Sequence, residues 1–137
     1  MLLNKYHLPS AIRKIAGEHH GNTLAAYFYY KAKQTAVEGE PVIERLFRYP
    51  GNRPSTRESA IVMMADSCEA AVRSLNEPSR EQVAEMVHKV VQGKIDDGQL
   101  SECPLTMADI YQIEKSFQLT FNGLLHERIR YPGTEMK

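Results

Sequence analysis

The sequence predicts an all-α fold, and three observations carry the prediction. Apolar residues recur at three- and four-residue steps through nearly every long segment. Two capping signatures, a serine followed three residues later by a glutamate or glutamine, stand just before such segments at Ser55–Glu58 and Ser79–Gln82. No stretch alternates apolar and polar residues as a half-buried strand does, and neither an internal repeat nor a low-complexity tract is present.

The elements follow in order. In PSAIRKIAGEHH, Pro9 suits a first helical turn, where its missing N–H would have no partner. Ile12, Ile15 and Ala16 share a face, and Gly21 is the expected stop. NTLAAYFYYKAKQTA is expected to be helical, capped by Asn22 or Thr23. Its stripe is Leu24, Ala25, Phe28 and Ala32, with Tyr27, Tyr29 and Tyr30 alongside. VEGEPVIERLFRYPGNRP, rich in breakers and charge, reads as a long connection with one helical turn at 42–47, and loops of this length are often functional. Ser55 is expected to cap the next helix, which turns Ile61, Met64, Ala65, Cys68, Ala71, Val72 and Leu75 inward before Asn76 and Pro78 end it. Ser79 opens a helix with Val83, Met86, Val87, Val90 and Val91 inward and Gly98 as its terminator. Thr106 caps the last helix, whose apolar positions are Ile110, Ile113, Phe117, Phe121, Leu124 and Leu125, and Pro132 and Gly133 close it.

Composition bounds the function. A chain of 137 residues is one domain or a piece of one. Lys+Arg and Asp+Glu are both 17, so the basic excess of a nucleic-acid binder is missing, although local arginines can still hold a small anion. Cys68 and Cys103 form no CxxC pattern and read as free thiols in a reducing compartment. No apolar run approaches the ~20 residues that cross a bilayer, and the N-terminus lacks the order of a signal peptide. A soluble, cytoplasmic chain is expected. It enters a helical pattern almost at once, as a piece cut from a larger domain would.

Three places could carry chemistry. His19 and His20, in GEHHGNT, point about 100° apart on a helix and reach one ion only where the helix ends or the ion lies over the turn. Asp66 lies near an apolar stripe and shares a face with Val62, Glu69 and Arg73. Such an acid is costly unless paired or bound to metal. The alternative is a Glu69–Arg73 ion pair with Asp66 at the rim. Histidine and carboxylate together suit Mn²⁺, Fe²⁺ or Zn²⁺, yet two histidines and one aspartate are too few for a two-metal site. The loop FRYPGNRPSTR gathers Arg48, Arg53 and Arg57 beside Tyr49, where forks fit phosphate oxygens and a ring can stack on a base. Read alone, a solvated basic loop is the favoured reading. His7, His88 and His126 show no ligand spacing, and no phosphate loop, GxSxG elbow or HExxH motif is present.

The order EHHGNTLAAYFYYKA, FRYPGNRPSTRESAIVMMADSCEAAVRSL, DGQLSECPLTMADIYQIEKSFQLTFNGLLHERIRYP resembles the C-terminal part of the HD domain in the family of membrane-anchored 7TM receptors with intracellular HD hydrolase. The resemblance covers almost the whole chain. It implies the C-terminal half of a helical bundle, 1–137 forming a single partial HD domain, and a phosphohydrolase that uses two divalent ions, Mn or Fe, to cleave a cyclic dinucleotide such as cyclic di-AMP. It further implies that His19 and His20 bind one metal and Asp66 the other. Arg48, Tyr49, Arg53 and Arg73 are the candidate substrate contacts.

The chain departs from the family in having no His-Asp dipeptide. That doublet and further histidines are expected on N-terminal helices outside this sequence. Alone, the chain is then expected to bind metal weakly or not at all and to be inactive. It is also expected to pair as a homodimer through apolar side chains around 24–32 and 61–75 that the missing helices would cover. The alternative function is a non-catalytic helical interaction or nucleotide-binding module that self-associates.

Overall fold

The computed structural model describes residues 2–130, with side chains through 126. Pro132 and Gly133, expected to close the last helix, lie outside the described residues. The elements are α1 (Leu2–Lys5), α2 (Ser10–Glu18), α3 (Ala26–Thr35), a 3-10 turn (Glu44–Phe47), α4 (Arg57–Arg73), α5 (Arg80–Asp96) and α6 (Met107–Arg130). Among the described residues the only strand-like pairing is one antiparallel bridge between Leu24 and Arg48. The fold is helical, as the sequence predicts. Among the described residues, no helix is long and apolar enough to cross a membrane.

The core lies where α4, α5 and α6 meet. α4 contributes Ala60, Met64, Cys68 and Val72, α5 contributes Val83, Val87 and Val91, and α6 contributes Ile110 and Phe121. The three valines recur at four-residue steps, which puts one branched side chain per turn on the buried stripe. The inward face of α4 is rotated from the expected one. Met63 and Met64 are both buried, whereas Ile61 points outward. Unbranched methionines fill the uneven gap between helices that cross, which a rigid isoleucine would not.

Capping decides where these helices begin. Ser79 and Gln82 form the expected reciprocal box: the Gln82 N–H donates to Ser79 Oγ at 3.1 Å and the Ser79 N–H to Gln82 Oε1 at 2.8 Å. Thr106 and Asp109 do the same for α6, at 3.1 and 2.9 Å. The expected Ser55–Glu58 box does not form. Thr56 caps α4 instead, accepting from the Ser59 N–H at 3.2 Å. Ser55 has another partner, the carboxylate of Glu18 on α2, which takes its N–H at 3.0 Å and its hydroxyl at 2.9 Å. Nor do Asn22 and Thr23 cap α3, which starts after Ala25 with no side-chain cap. They are held in a turn that positions the histidines.

α3 has no buried residue. Its packing within the chain is against the 3-10 turn, where Tyr29 meets Phe47 edge-on at 5.7 Å. Tyr27 is 70% exposed and Phe28 63%. By contrast α6 lies across α4 and α5 and closes over most of the α4 face that the sequence left open.

Candidate metal centre

Local chain geometry builds a rigid turn at His19–Thr23. α2 ends at Glu18, and His19 keeps a helical backbone with its N–H on Ile15 O at 2.9 Å. Gly21 then takes φ +54°, a left-handed value that a glycine adopts without strain, and its N–H returns to Glu18 O at 2.8 Å. The Thr23 N–H closes the turn on His20 O at 3.2 Å. This stop is why two adjacent histidines can serve one place: the helix ends under them.

The rings are oriented as well. His19 Nδ1 lies 3.2 Å from Ile15 O and 3.1 Å from Ala16 O. Both are acceptors, so Nδ1 carries the proton and Nε2 presents its lone pair outward, the tautomer a metal ligand needs. The His20 ring stacks on Tyr49 with centroids 4.9 Å apart and planes 13° from parallel. Tyr49 is itself fixed by its N–H on Thr23 O at 3.0 Å.

Asp66 comes from the exposed side of α4. The structure brings one ligand atom each from His19, His20 and Asp66 within 4.8 Å of one another. Ligand atoms at ~2.1 Å from one ion are at most ~4.2 Å apart, so small rotamer changes would close the set. The same spacing also accommodates two ions ~3.5–4 Å apart. Two imidazoles and a carboxylate fit a borderline divalent ion such as Mn²⁺ or Fe²⁺. The donor set therefore fits a metal, with too few ligands to fill two coordination shells.

Four further residues hold this arrangement, and sequence reading missed them. The Glu18–Ser55 clamp ties the end of α2 to the start of α4, and so fixes the histidine turn relative to the helix that carries Asp66. Burial alone would push the Glu18 carboxyl up, but hydrogen bonds from Ser55 and Ser59 hold it below its ordinary value. Gln99, fully buried, donates to Asn22 Oδ1 at 2.7 Å and Asp97 Oδ2 at 2.8 Å, and accepts the Asn22 N–H at 3.3 Å. Lys94 donates to Thr23 Oγ1 at 3.2 Å. Asp97 completes a bidentate pair with Arg48, at 3.0 and 3.1 Å. Glu18, beside the HisHis pair, could have been noticed. Nothing in the sequence signals a contact such as Asn22–Gln99, which spans 77 residues.

The candidate substrate contacts divide. The Arg48 fork is spent within the protein, on Asp97, on Glu44 at 2.7 Å and on Asn22 O at 3.1 Å. Arg53 touches Ser101 Oγ at 3.3 Å and makes no ion pair among the described residues. Arg73 pairs with Glu69 at 3.5 Å. That pair is the alternative partner scheme for the α4 face, and it coexists with Asp66 at the histidine turn. His88 lies apart, beside Glu114 at 3.2 Å.

The Arg48 hydrogen bonds, aided by one from Gln99, hold the Asp97 carboxyl below its usual value. Its stabilising effect is therefore present above the ordinary carboxylate range and lost as pH falls through the depressed folded value. Asp97→Asn is expected to lower stability at pH 7 by about 1 kcal/mol, allowing for its partial exposure. As pH falls below the ordinary carboxylate range and through the depressed folded value, that difference should shrink toward zero. Urea midpoints across an acid pH series check this.

No protein-family model matches the sequence. The chain is 42% identical over 136 residues to the cyclic-di-AMP phosphodiesterase PgpH of Bacillus subtilis, covering 99% of this chain and 19% of that protein. Identity to the Listeria monocytogenes PgpH is likewise 42%, over 131 residues, covering 96% of this chain and 18% of that protein. The crystal structure of the Listeria PgpH HD domain in complex with cyclic-di-AMP superposes with a TM-score of 0.83 at 41% identity, over 90% of this chain and 56% of that one. This chain has the fold of an HD domain. It spans about a fifth of the length of the curated relatives and just over half of the solved HD-domain chain. In the setting of the HD fold, the resemblance read from the HHG, RYPG and ADS stretches is supported along nearly the whole chain.

Proposed function

We propose that this chain is the C-terminal part of an HD-type phosphodiesterase that opens the ring of cyclic di-AMP. The observation that carries the reading is the His19, His20 and Asp66 cluster, ligand atoms within 4.8 Å, in a chain so similar to the PgpH HD domain. That His19 and His20 hold one ion and Asp66 its neighbour is part of the proposal. Bound divalent ions, Mn or Fe, would activate water and stabilise charge developing on the phosphate. The chain's own residues do the rest. The turn holds His19 Nε2 outward, Tyr49 braces His20, and Arg53, which no carboxylate pairs among the described residues, offers a guanidinium for a phosphate. Arg48 serves by fixing the loop that bears Tyr49, and Arg73 lies farther along α4.

The remaining ligands, including the His-Asp doublet absent from the sequence, come on this reading from the part of the HD domain that the chain does not span. Its membrane anchor and cytoplasmic setting are carried over from the family resemblance. The exposed Tyr27 and Phe28 face of α3 favours a second element of the reading, self-association of the chain as a homodimer when nothing else covers that face.

The test is hydrolysis of cyclic di-AMP with Mn²⁺, followed by chromatography of the linear dinucleotide. The chain alone should give none. The chain joined to the rest of an HD domain should give metal-dependent turnover. Robust turnover by the chain alone, or none by a folded completed domain, would overturn the proposal.

A further inference from the structure

Among the described residues, Lys94 is a half-buried positive charge with no carboxylate partner. It lies on α5, half-buried, and its ammonium reaches over to Thr23 Oγ1 at 3.2 Å, three residues beyond His20. Among the described residues that hydroxyl is its only side-chain hydrogen-bond partner, and no carboxylate lies within 4.0 Å of it. An ammonium has three donors, and holding one half-buried with a single neutral partner is unfavourable unless something else uses the charge. Burial pushes it down from the ordinary lysine range, while Asp97 and Asp66 pull it back. Asp97 is already committed to Arg48 through two hydrogen bonds. The ammonium therefore lies against the histidine turn with donors to spare.

We propose that Lys94 is a substrate-contacting residue that donates to a non-bridging oxygen of a phosphodiester bound at the His19, His20 and Asp66 centre. The inference rests on the phosphodiesterase reading and adds to it a protein cation held against the histidine turn. Arg48 cannot take this role, because two carboxylates occupy its fork. A point-like ammonium on a flexible stem suits an oxygen that changes position as the phosphate is attacked. The same charge repels a divalent ion, so the residue should impede metal binding while aiding anion binding. A purely structural lysine would not produce these opposite effects.

The test uses the chain joined to the rest of an HD domain, as in the turnover assay. Mn²⁺ affinity is read from loss of the free-ion electron paramagnetic resonance signal. Dimethyl phosphate, a minimal phosphodiester, is then added to the Mn²⁺-loaded domain and followed by phosphorus-31 relaxation. Lys94→Met should bind Mn²⁺ roughly three- to tenfold more tightly, because the repulsion is removed. It should bind dimethyl phosphate roughly tenfold more weakly, because a charge-assisted hydrogen bond is lost. Lys94→Arg, which keeps the charge, should stay near the unsubstituted domain in both. If Lys94→Met weakens both ligands together, the lysine merely holds Thr23 in place and the proposal fails. Unchanged dimethyl phosphate affinity also overturns it. If the completed, unsubstituted domain binds no Mn²⁺ at millimolar concentration, the metal-centre reading falls and takes this proposal with it.

Discussion

In an HD domain completed around this chain, Asp66→Ala is expected to lower cyclic di-AMP turnover by about three orders of magnitude. Asp66 contributes an anionic oxygen to a cluster whose other two donors are neutral imidazoles. Removing it costs the centre both a ligand and its negative charge, so a divalent ion is held less firmly and less well placed. If metal assistance supplies ~4 kcal/mol of transition-state stabilisation, its loss corresponds to about a thousandfold in rate. His19→Ala and His20→Ala should act in the same direction. His88→Ala is the control: its ring is exposed beside Glu114 and apart from the cluster, so turnover should stay within about twofold. Initial rates at saturating Mn²⁺ and bound-metal stoichiometry check these outcomes together. Near-normal turnover in Asp66→Ala would remove the aspartate from the metal centre.

Gly21→Val is the substitution expected to damage the fold most. Gly21 has φ +54°, which a β-branched residue adopts only under strain of about 1–2 kcal/mol. A side chain there would also run into Gln99 Oε1 and into Met63 Cε at 2.8 Å, both belonging to fully buried residues. Overpacking of that kind costs about 1–3 kcal/mol more. The sum of ~2–5 kcal/mol is a large share of the ~5–15 kcal/mol by which small domains are stable. The control is Gly93→Ala, an exposed position within α5 where an added carbon meets nothing within 4 Å. It should raise stability by about 0.5–1 kcal/mol through helix propensity. Urea denaturation followed by circular dichroism resolves both shifts. An unchanged midpoint for Gly21→Val would mean that the turn is far more pliable than its packing implies.

What was legible in the sequence was whatever depends on residues three or four apart. The Ser79–Gln82 box, the Val83–Val87–Val91 stripe and the Gly21 and Gly98 stops are local consequences of helical geometry, and they stand as read. The errors arose where a distant partner outbid a local one. Ser55 could have capped α4, but the Glu18 carboxylate offers its N–H and hydroxyl charged acceptors at once, and Thr56 takes over the cap. Asn22 could have capped α3, but it spends its polar groups on Gln99. The candidate metal ligands follow from the family resemblance. Spacing alone could not have joined His20 to Asp66, because their proximity depends on how α2 lands on α4. Lys94 and Gln99 left no local mark, since each matters only for what lies across the fold.

The long reach of the contacts around the histidine turn bears on the order in which the chain takes shape. α4, α5 and α6 are joined by short connections, so their packing closes small loops and can proceed quickly. Asn22 must instead find Gln99 across 77 residues, and Glu18 must find Ser55 across 37. Neither encounter is rewarded until the three-helix unit exists to present its surface. The histidine turn is therefore expected to dock late, onto a platform already made, and to be released early on unfolding. On the proposed metal reading, ion capture would be coupled to this step, because Asp66 lies on the platform while both histidines arrive with the docking segment. A divalent ion bridging them would then act as a clasp on a late-formed contact.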